Sequence, residues 1–488
     1  MTPDDALAAV KTLSQKLNDQ RPALNDADQY YAGTQPMSFL APEVQAQVGD
    51  RLQSLNVNWA RKIVDSVSQR TYIEGFGLGD GEVDEDLWRL FQANDLDEWS
   101  QMTHVDALVH GRSFMSVWGN DEDPETPRIV VESAHQVAVA YSPSDRTLRS
   151  ALKRWTEGTT QFATLYLPDE IRKFSSESRY SNMVAGRWDL YDVLDNPLGV
   201  VPIVPFVNRP RVLNLDGESE LVDVMGLIDA IGKLCTDMLL TSEFHAMPRR
   251  WATGIEIPSG PNREKLQEDV KRYWDDATKG KTWLAGKGVA FGQFSEADLS
   301  SFVGAVNLLT SMVAAIGGLP PDDLGLTTTN PASAEARRAA DTTLVMRTRE
   351  KHQSWSGSWE RVMRLAVAAR DGVSVREVAP DLRAMETFWR DPEVQTVAQT
   401  ADAAVKLHAA GIIDDIAAQE RVGISPAQRR AIAARATAAG GDKASPRELA
   451  EMVQKIYLGV GTVITEPEAR SILRDAGADI PLETPAVS

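Results

Sequence analysis

Three stretches of this 488-residue chain hold residue types that chemistry uses, and each fails a test of spacing. Gly280–Thr282 reads GKT, the end of a phosphate-binding loop. That loop needs a glycine five residues before Gly280, where Asp275 stands, and it follows a strand, whereas this GKT follows a helical pattern. A carboxylate there would repel phosphate. Gly75–Gly81 reads GFGLGDG, but a dinucleotide fingerprint requires glycine at the place of Asp80 and a helix directly behind it. The expectation there is a flexible surface loop. His104, Asp106 and His110 share one helical segment, yet the two histidines are six residues apart. They face different sides, are not an i,i+4 metal pair, and read as satisfied polar residues. Neither GxSxG nor HExxH occurs, and none of the 70 acids is singled out as half of a catalytic pair. Cys235 is the only cysteine and sits in an apolar helical run, so a small buried side chain is expected and an intrachain disulfide is excluded. The expectation is therefore no catalytic residue, no metal ligand and no cofactor.

Composition narrows the class of partner. Lys and Arg number 51, and the formal charge is −19. Grip on nucleic acid comes mainly from phosphate neutralisation, so a chain this acidic either avoids DNA or handles it without holding it. Apolar content of 43% supports an ordinary globular core. The length fits about three domain-sized units or one large subunit with insertions. The N-terminus lacks the basic and apolar regions of a signal peptide. The longest apolar run, Val222–Leu240, is broken by Asp223, Asp229, Lys233 and Asp237, and no membrane-spanning helix is expected.

The elements follow from caps and periodicity. Thr2 and Pro3 open a first helix. Leu52, Leu55, Trp59, Ile63 and Val67 recur at helical spacing over 52–69, and 85–93 and 97–110 read as two more helices. Between Phe114 and Val207 come short β-rich runs separated by turn clusters, the pattern of a β-meander. A long helix is expected over 219–247, an α/β insert over 248–294, and a second helix near 297–316. A Gly/Pro-rich stretch, GGLPPDDLGLTTTN, then leads to Asn330 and Pro331, good cap and first residue for a third long helix ending near Gly372. Helical hairpins follow, with capping boxes at Ser425 and Ser445, and the tail PLETPAVS reads as disordered. The fold class is α+β, predominantly helical.

The order long helix, α/β insert, helix, Gly/Pro loop, long helix resembles the portal (head-to-tail connector) proteins of tailed bacteriophages. NPASAEARRAADTTLV from Asn330 is similar to that family's passage from tunnel loop into wing helix. NVNWARKIVDSVSQRTYIEGFG from Asn56, VDALVHGRSFMSVWG from Val105 and FWRDPEVQTVAQTADAAVKLHAAGI from Phe388 resemble other family segments, so the likeness spans about 56–424.

The resemblance implies a portal architecture assembled as a ring, a dodecamer by family habit. Its parts would be a wing region over 1–218, a first stem helix over 219–247 and a clip insert over 248–294. A second stem helix over 295–316, a tunnel loop over 317–332, a long wing helix with its return over 333–400 and a crown-like helical region over 401–488 would follow. Asp322, Asp323, Leu326, Thr327, Thr328, Thr329 and Asn330 would face double-stranded DNA in the channel. Arg249, Arg250, Lys279 and Lys281 of the clip would meet the terminase large subunit and then the head-completion adaptor. Major capsid and scaffold proteins complete the implied partners, with no membrane, and the location would be the virion after assembly in the host cytoplasm. The arginines and lysines of the third long helix, among them Arg347, Arg349 and Lys351, read as solvated or as paired with acids of a neighbouring subunit. Two alternatives stay open: another head–tail connector or minor capsid protein, and a carboxylate-based hydrolase on the N-terminal α+β region.

Overall fold

A computed structural model describes residues 1–36, 57–79, 82–177, 188–246, 250–253, 267–268, 271, 290–293, 299–326, 334–393, 397–424, 428–429 and 432. The chain divides into two compact units, 1–393 and 394–488.

Helix α1 (Pro3–Ala32) begins as its caps dictate: Thr2 accepts from the Asp5 amide, and Gly33 closes the far end at φ 73°. Its first half lays Ala6, Val10, Leu13 and Leu17 onto a sheet, in a core with Leu152, Leu165 and Phe174. That sheet is a five-stranded antiparallel meander of β4 (Val137–Tyr141), β5 (Leu148–Glu157), β6 (Thr160–Tyr166), β7 (Glu170–Glu177) and β8 (Asp189–Asp195). The other β-rich runs do not join it. β2 (Arg112–Trp118) sits between β3 (Arg128–Glu132) and β9 (Ile203–Val207), so the expected single meander is two sheets, with β9 returning to pair β2.

Helix α2 (Trp59–Ser68) starts at the Asn58 cap; Leu52 and Leu55 of the expected longer helix lie outside the described residues. Helices α3 (Glu85–Ala93) and α4 (Leu96–His110) lie within a residue of expectation. The Gly75–Gly81 reading needs correction: Gly75 and Gly77 belong to strand β1 (Ile73–Gly77), which pairs with β12 (Glu386–Trp389). A Cβ on Gly77 would meet the Phe388 ring at 2.6 Å, so these glycines allow close packing, not a mobile loop. β12 carried too short a pattern to be noticed.

Three long helices form the rest of the first unit. α5 (Val222–Ala246) buries Val224, Ile228, Ile231, Cys235 and Leu240 and packs on α6 (Ser300–Gly317). α7 (Ala334–Asp371) runs 38 residues, about 57 Å, and drives Trp355, Trp359, Val362 and Met363 into the main core against β2, β9 and β12. Side chains of α7 also occupy carbonyls along β9: Trp355 donates to Val207 O at 3.1 Å and Ser358 to Pro205 O at 2.8 Å. Between α5 and α6, β10 (Arg250–Thr253) and β11 (Ala290–Gln293) form an antiparallel ribbon at the base of the insert. Helix α6 corrects the expectation about apolar runs. It has no charged residue over 18 positions, a mean hydropathy of 1.5, and is long and apolar enough to cross a membrane by length and composition. Val303, Leu308, Met312 and Ile316 are exposed along it.

In the second unit, α8 (Val397–Ala409) and α9 (Asp415–Arg421) form a short hairpin, with Gly411 at φ 69° and Asp414 capping the second helix through the Ala417 amide. The capping boxes at Ser425 and Ser445 and the tail lie outside the described residues.

Candidate functional site

The segment joining α6 to α7 is fixed at its root by sequence-local chemistry. Gly318 takes φ 64°, and its amide and that of Leu319 return to Ala314 and Ala315 carbonyls, ending α6. Pro320 and Pro321 then set up one 3-10 turn, Pro321–Leu324, closed by Gly325 at φ 82°. Leu319 and Leu324 are buried, which pins the turn to the core. Asp322 points outward; Asp323 is partly covered, its carboxylate 3.9 Å from Lys62 Nζ.

A buried charge cluster lies behind this root. Glu220, just before α5, has a side chain 1% exposed and faces three cations. Lys351 Nζ lies 2.6 Å from Oε1, Arg209 reaches Oε2 at 3.2 Å, and Arg347 reaches the same oxygen. Burial alone would push the Glu220 carboxyl up; Lys351, Arg347 and Arg209 outweigh it and hold it below the usual carboxylate range. Arg347 also donates to the carbonyls of Ile316, at 3.3 Å, and Gly317, two of the orphaned acceptors at the end of α6. A Cβ on Gly318 would meet Arg347 Cδ at 2.9 Å, so glycine is needed for space as well as for φ.

A backbone knot puts Glu220 in place. Its amide donates to Leu108 O, the amide of Asn208 to Gly111 O, and that of Glu218 to Asn208 O. Gly217, at φ 77°, lies so close to this knot that a Cβ would meet the Asn208 and Gly111 carbonyl oxygens at 2.4 Å. The starts of α5 and β2, the ends of α4, α6 and β9, and the middle of α7 are thereby tied at one point.

The sequence-derived candidates fare unequally. Asp322, Asp323 and Leu326 lie on or beside the turn, whereas Thr327, Thr328, Thr329 and Asn330 fall outside the described residues. Arg250 is in β10 opposite Gln293, with its side chain outside the description, as are Arg249, Lys279 and Lys281 entirely. Two cations of α7 correct their expectation, since Arg347 and Lys351 turn inward to Glu220 of the same chain, whereas Arg349, half exposed and 3.4 Å from Asp391, is solvated as read. Glu220 itself was missed. The i,i+4 spacing that puts Arg347 and Lys351 on one face of the helix was the available signal.

His104 is hydrogen-bonded, as read, and fully buried. Trp355 stacks on its ring at 4.8 Å, Trp359 Nε1 donates to Nε2 at 3.1 Å, and Thr71 Oγ1 lies 3.0 Å from Nδ1. Because the Thr71 hydroxyl donates to Ser68 O, it accepts from Nδ1–H, and the ring is neutral with both nitrogens satisfied. Burial, helped by His352, pushes its pKa down to about 3.

Taken together, these features describe a scaffold: the clustered polar groups satisfy one another and hold elements in register around the turn that bears Asp322. Residues 10–423 match the family described as phage portal protein, SPP1 Gp6-like. The portal protein of Mycobacterium phage D29 is 34% identical over 449 residues, covering 87% of each chain. That of Mycobacterium phage L5 is 36% identical over 375 residues, covering 73% of each. A solved chain from the neck of an empty gene transfer agent particle shares 14% identity at a TM-score of 0.49, over 80% of this chain and 95% of its own. The chain belongs to the phage portal protein family, and it is a structural portal subunit, the virion component that forms the DNA channel at the capsid vertex.

Proposed function

We propose that copies of this chain close into a dodecameric ring in which the α6–α7 loop faces the passing duplex and α5 and α6 form the stem. The observation that carries this is the contrast at the loop: a root locked by Arg347, Leu319 and Leu324, and an exposed Asp322 beyond it. A locked root keeps the channel bore constant. An acid at the turn, followed by the small uncharged run Leu326–Asn330, prevents the phosphate adhesion that would stall sliding DNA. The exposed Val303, Leu308, Met312 and Ile316 of α6 are covered by the neighbouring subunit in this reading, since an apolar face of that length marks an interface. The insert beyond β10 and β11 acts as the clip. Its Arg249, Arg250, Lys279 and Lys281 dock the terminase large subunit during packaging and the head-completion adaptor afterwards. The second unit serves as the crown, the subunit does no catalysis, and assembly on scaffold and major capsid protein takes place in the host cytoplasm.

The test is DNA packaging by heads carrying charge-reversed portals. Asp322→Lys is expected to leave rings intact by negative-stain imaging while packaging falls at least tenfold; Arg249→Glu with Arg250→Glu abolishes packaging with rings intact. Rings that package normally with Asp322→Lys remove the loop from the DNA path, and a subunit that never forms rings removes the channel reading altogether.

A further inference from the structure

A second cluster lies away from the loop and joins three separate elements. Asp28 comes from the last turns of α1, His110 is the final residue of α4, and His135 lies in the turn between β3 and β4. His110 Nε2 is 2.7 Å from Asp28 Oδ1, and His135 Nε2 is 2.8 Å from Asp28 Oδ2. The two imidazoles meet edge to face with centroids 5.1 Å apart. One ligand atom from each of the three residues falls within 4.8 Å of the others. His110 is 4% exposed at its side chain, whereas Asp28 is 49% exposed, so the cluster is walled on one side and open to water on the other.

The tautomers decide between two readings. If protons alone hold the cluster and both rings are neutral, each ring presents Nε2–H to Asp28. His110 Nδ1 is then a bare lone pair, buried without a hydrogen-bond partner, with Asp106 Oδ2 3.9 Å away. Two electron-rich atoms would face each other in a covered place, an arrangement that costs free energy. If Nε2 instead binds a cation, the His110 proton resides on Nδ1 and points toward Asp106. That is the carboxylate–histidine–metal arrangement in which an outer carboxylate orients a ligating imidazole. Asp106 stands one helical turn before His110, the spacing that such an outer partner on the same helix needs.

The donor set selects the ion. Two imidazole nitrogens, one carboxylate and an open fourth position for water match a tetrahedral N/O zinc site, and lack both the thiolates of softer metals and the oxygen cage of calcium or magnesium. Bonds of about 2.0–2.1 Å place neighbouring ligand atoms roughly 3.3 Å apart in a tetrahedron. The Asp28 contacts of 2.7 and 2.8 Å would lengthen by about half an ångström to reach that spacing, and Asp28 is the exposed member of the cluster.

We propose that Asp28, His110 and His135 bind one Zn²⁺ per chain, with Asp106 orienting His110 and water completing the coordination. The ion would pin α1 to the corner where α4 turns into β2 and to the β3–β4 turn, fixing the N-terminal helix between the two sheets. This goes beyond the channel reading and stands or falls separately from it.

The experiment uses the full-length, tag-free chain, stripped with chelator and dialysed. Zinc chloride is titrated calorimetrically and by thermal melting, and cobalt(II) serves as a spectroscopic substitute. The expected result is one saturable equivalent, a rise in melting temperature with zinc, and visible cobalt absorption of the intensity that low-coordinate sites give. His135→Ala and Asp28→Asn, both at partly exposed positions, should retain the fold by circular dichroism and lose these signals. Asp106→Asn should weaken binding by about 10- to 100-fold. No saturable uptake overturns the proposal, as does uptake unchanged in folded His135→Ala and Asp28→Asn. A zinc-insensitive melt that drops on Asp28→Asn would identify a hydrogen-bonded brace holding protons only, and overturns it as well.

Discussion

Helix α7 passes through two buried polar clusters within about four turns, and they meet the cost of burial in opposite ways. At Arg347 and Lys351 the protein buries a carboxylate and surrounds it with cations. At Trp355 and Trp359 it buries His104 and refuses it a charge. The difference follows what each cluster joins. The Glu220 cluster ties the ends of several elements, and two free carbonyls at the end of α6 take the charged Arg347 as their donor. The His104 cluster sits inside a packed core beside Phe91 and Phe206, which meet Trp359 edge to face, and there a charge would find no compensation. Charge is used where register must be set, and neutrality where shape already sets it.

Removing Glu220 is the strongest test of that contrast. Glu220→Ala leaves Arg347, Lys351 and Arg209 gathered in a covered space with no carboxylate among them. Breaking a buried pair in this way costs about 3–5 kcal/mol, read as a lowered urea midpoint. Replacing Glu220, Arg347 and Lys351 together by Met should recover most of that stability, because Arg209 keeps Asp223 at 2.7 Å and no unpaired charge remains. The recovered protein should nevertheless show faster hydrogen exchange at the amides of 318–326, since the α6 carbonyls have lost Arg347. Exchange as slow as in the parent would show that the charges add nothing to the register of the loop root.

The two clusters were also unequally legible. The caps read at Thr2 and Asn330 and the periodicity of the other segments placed most described helices within a few residues. What local patterns cannot carry is pairing between distant segments. The return of β9 to β2, the pairing of β1 with β12, and the convergence of Glu220 with Arg209 and Arg347 join residues that are far apart in sequence or whose pairing no local period encodes. Gly75 and Gly77 illustrate the limit: a glycine-rich string reads as a loop until Val83 and Phe388 are seen filling the space its missing side chains leave. The portal family was legible through the order of the elements and the segments that resemble it, whereas the roles given to the loop residues rested on that resemblance alone and stand as a proposal. His135 was overlooked because its partners come from two other elements.

Acid separates the clusters by pH. The folded chain holds His104 at a pKa of about 3, whereas an unfolded histidine titrates near 6.5. Between those values the unfolded state binds the extra proton, so stability is present above about pH 6.5 and is lost as pH falls toward 3. Glu220, held below the usual carboxylate range, likewise contributes stability that is lost on acidification, but only from about pH 4.5 downward. His104→Gln should therefore flatten stability against pH between 6 and 5 by up to one proton, about 1.4 kcal/mol per pH unit. His352, whose pKa burial also lowers, accounts for slope that remains in that window. Glu220→Gln should change the slope only below about pH 4.5. Equal slopes in parent and His104→Gln between pH 6 and 5 would mean that the aromatic cage admits a proton after all.

The smallest effect belongs to the ion pair at the edge of the loop root. Lys62 and Asp323 stand 3.9 Å apart with side chains 43% and 19% exposed, in contrast to the 1% of Glu220. An exposed pair at that distance is screened by water and salt and contributes on the order of 0–1 kcal/mol. Lys62→Met should shift the urea midpoint barely at all, and salt up to about 1 M should erase what difference exists. If Lys62→Met instead costs as much as Glu220→Ala, then Asp323 is far better shielded in the assembled protein than in a single chain. Repeating the measurement on rings and on dissociated subunits would locate that shielding, because a neighbouring subunit covering the loop root raises the cost in the ring alone.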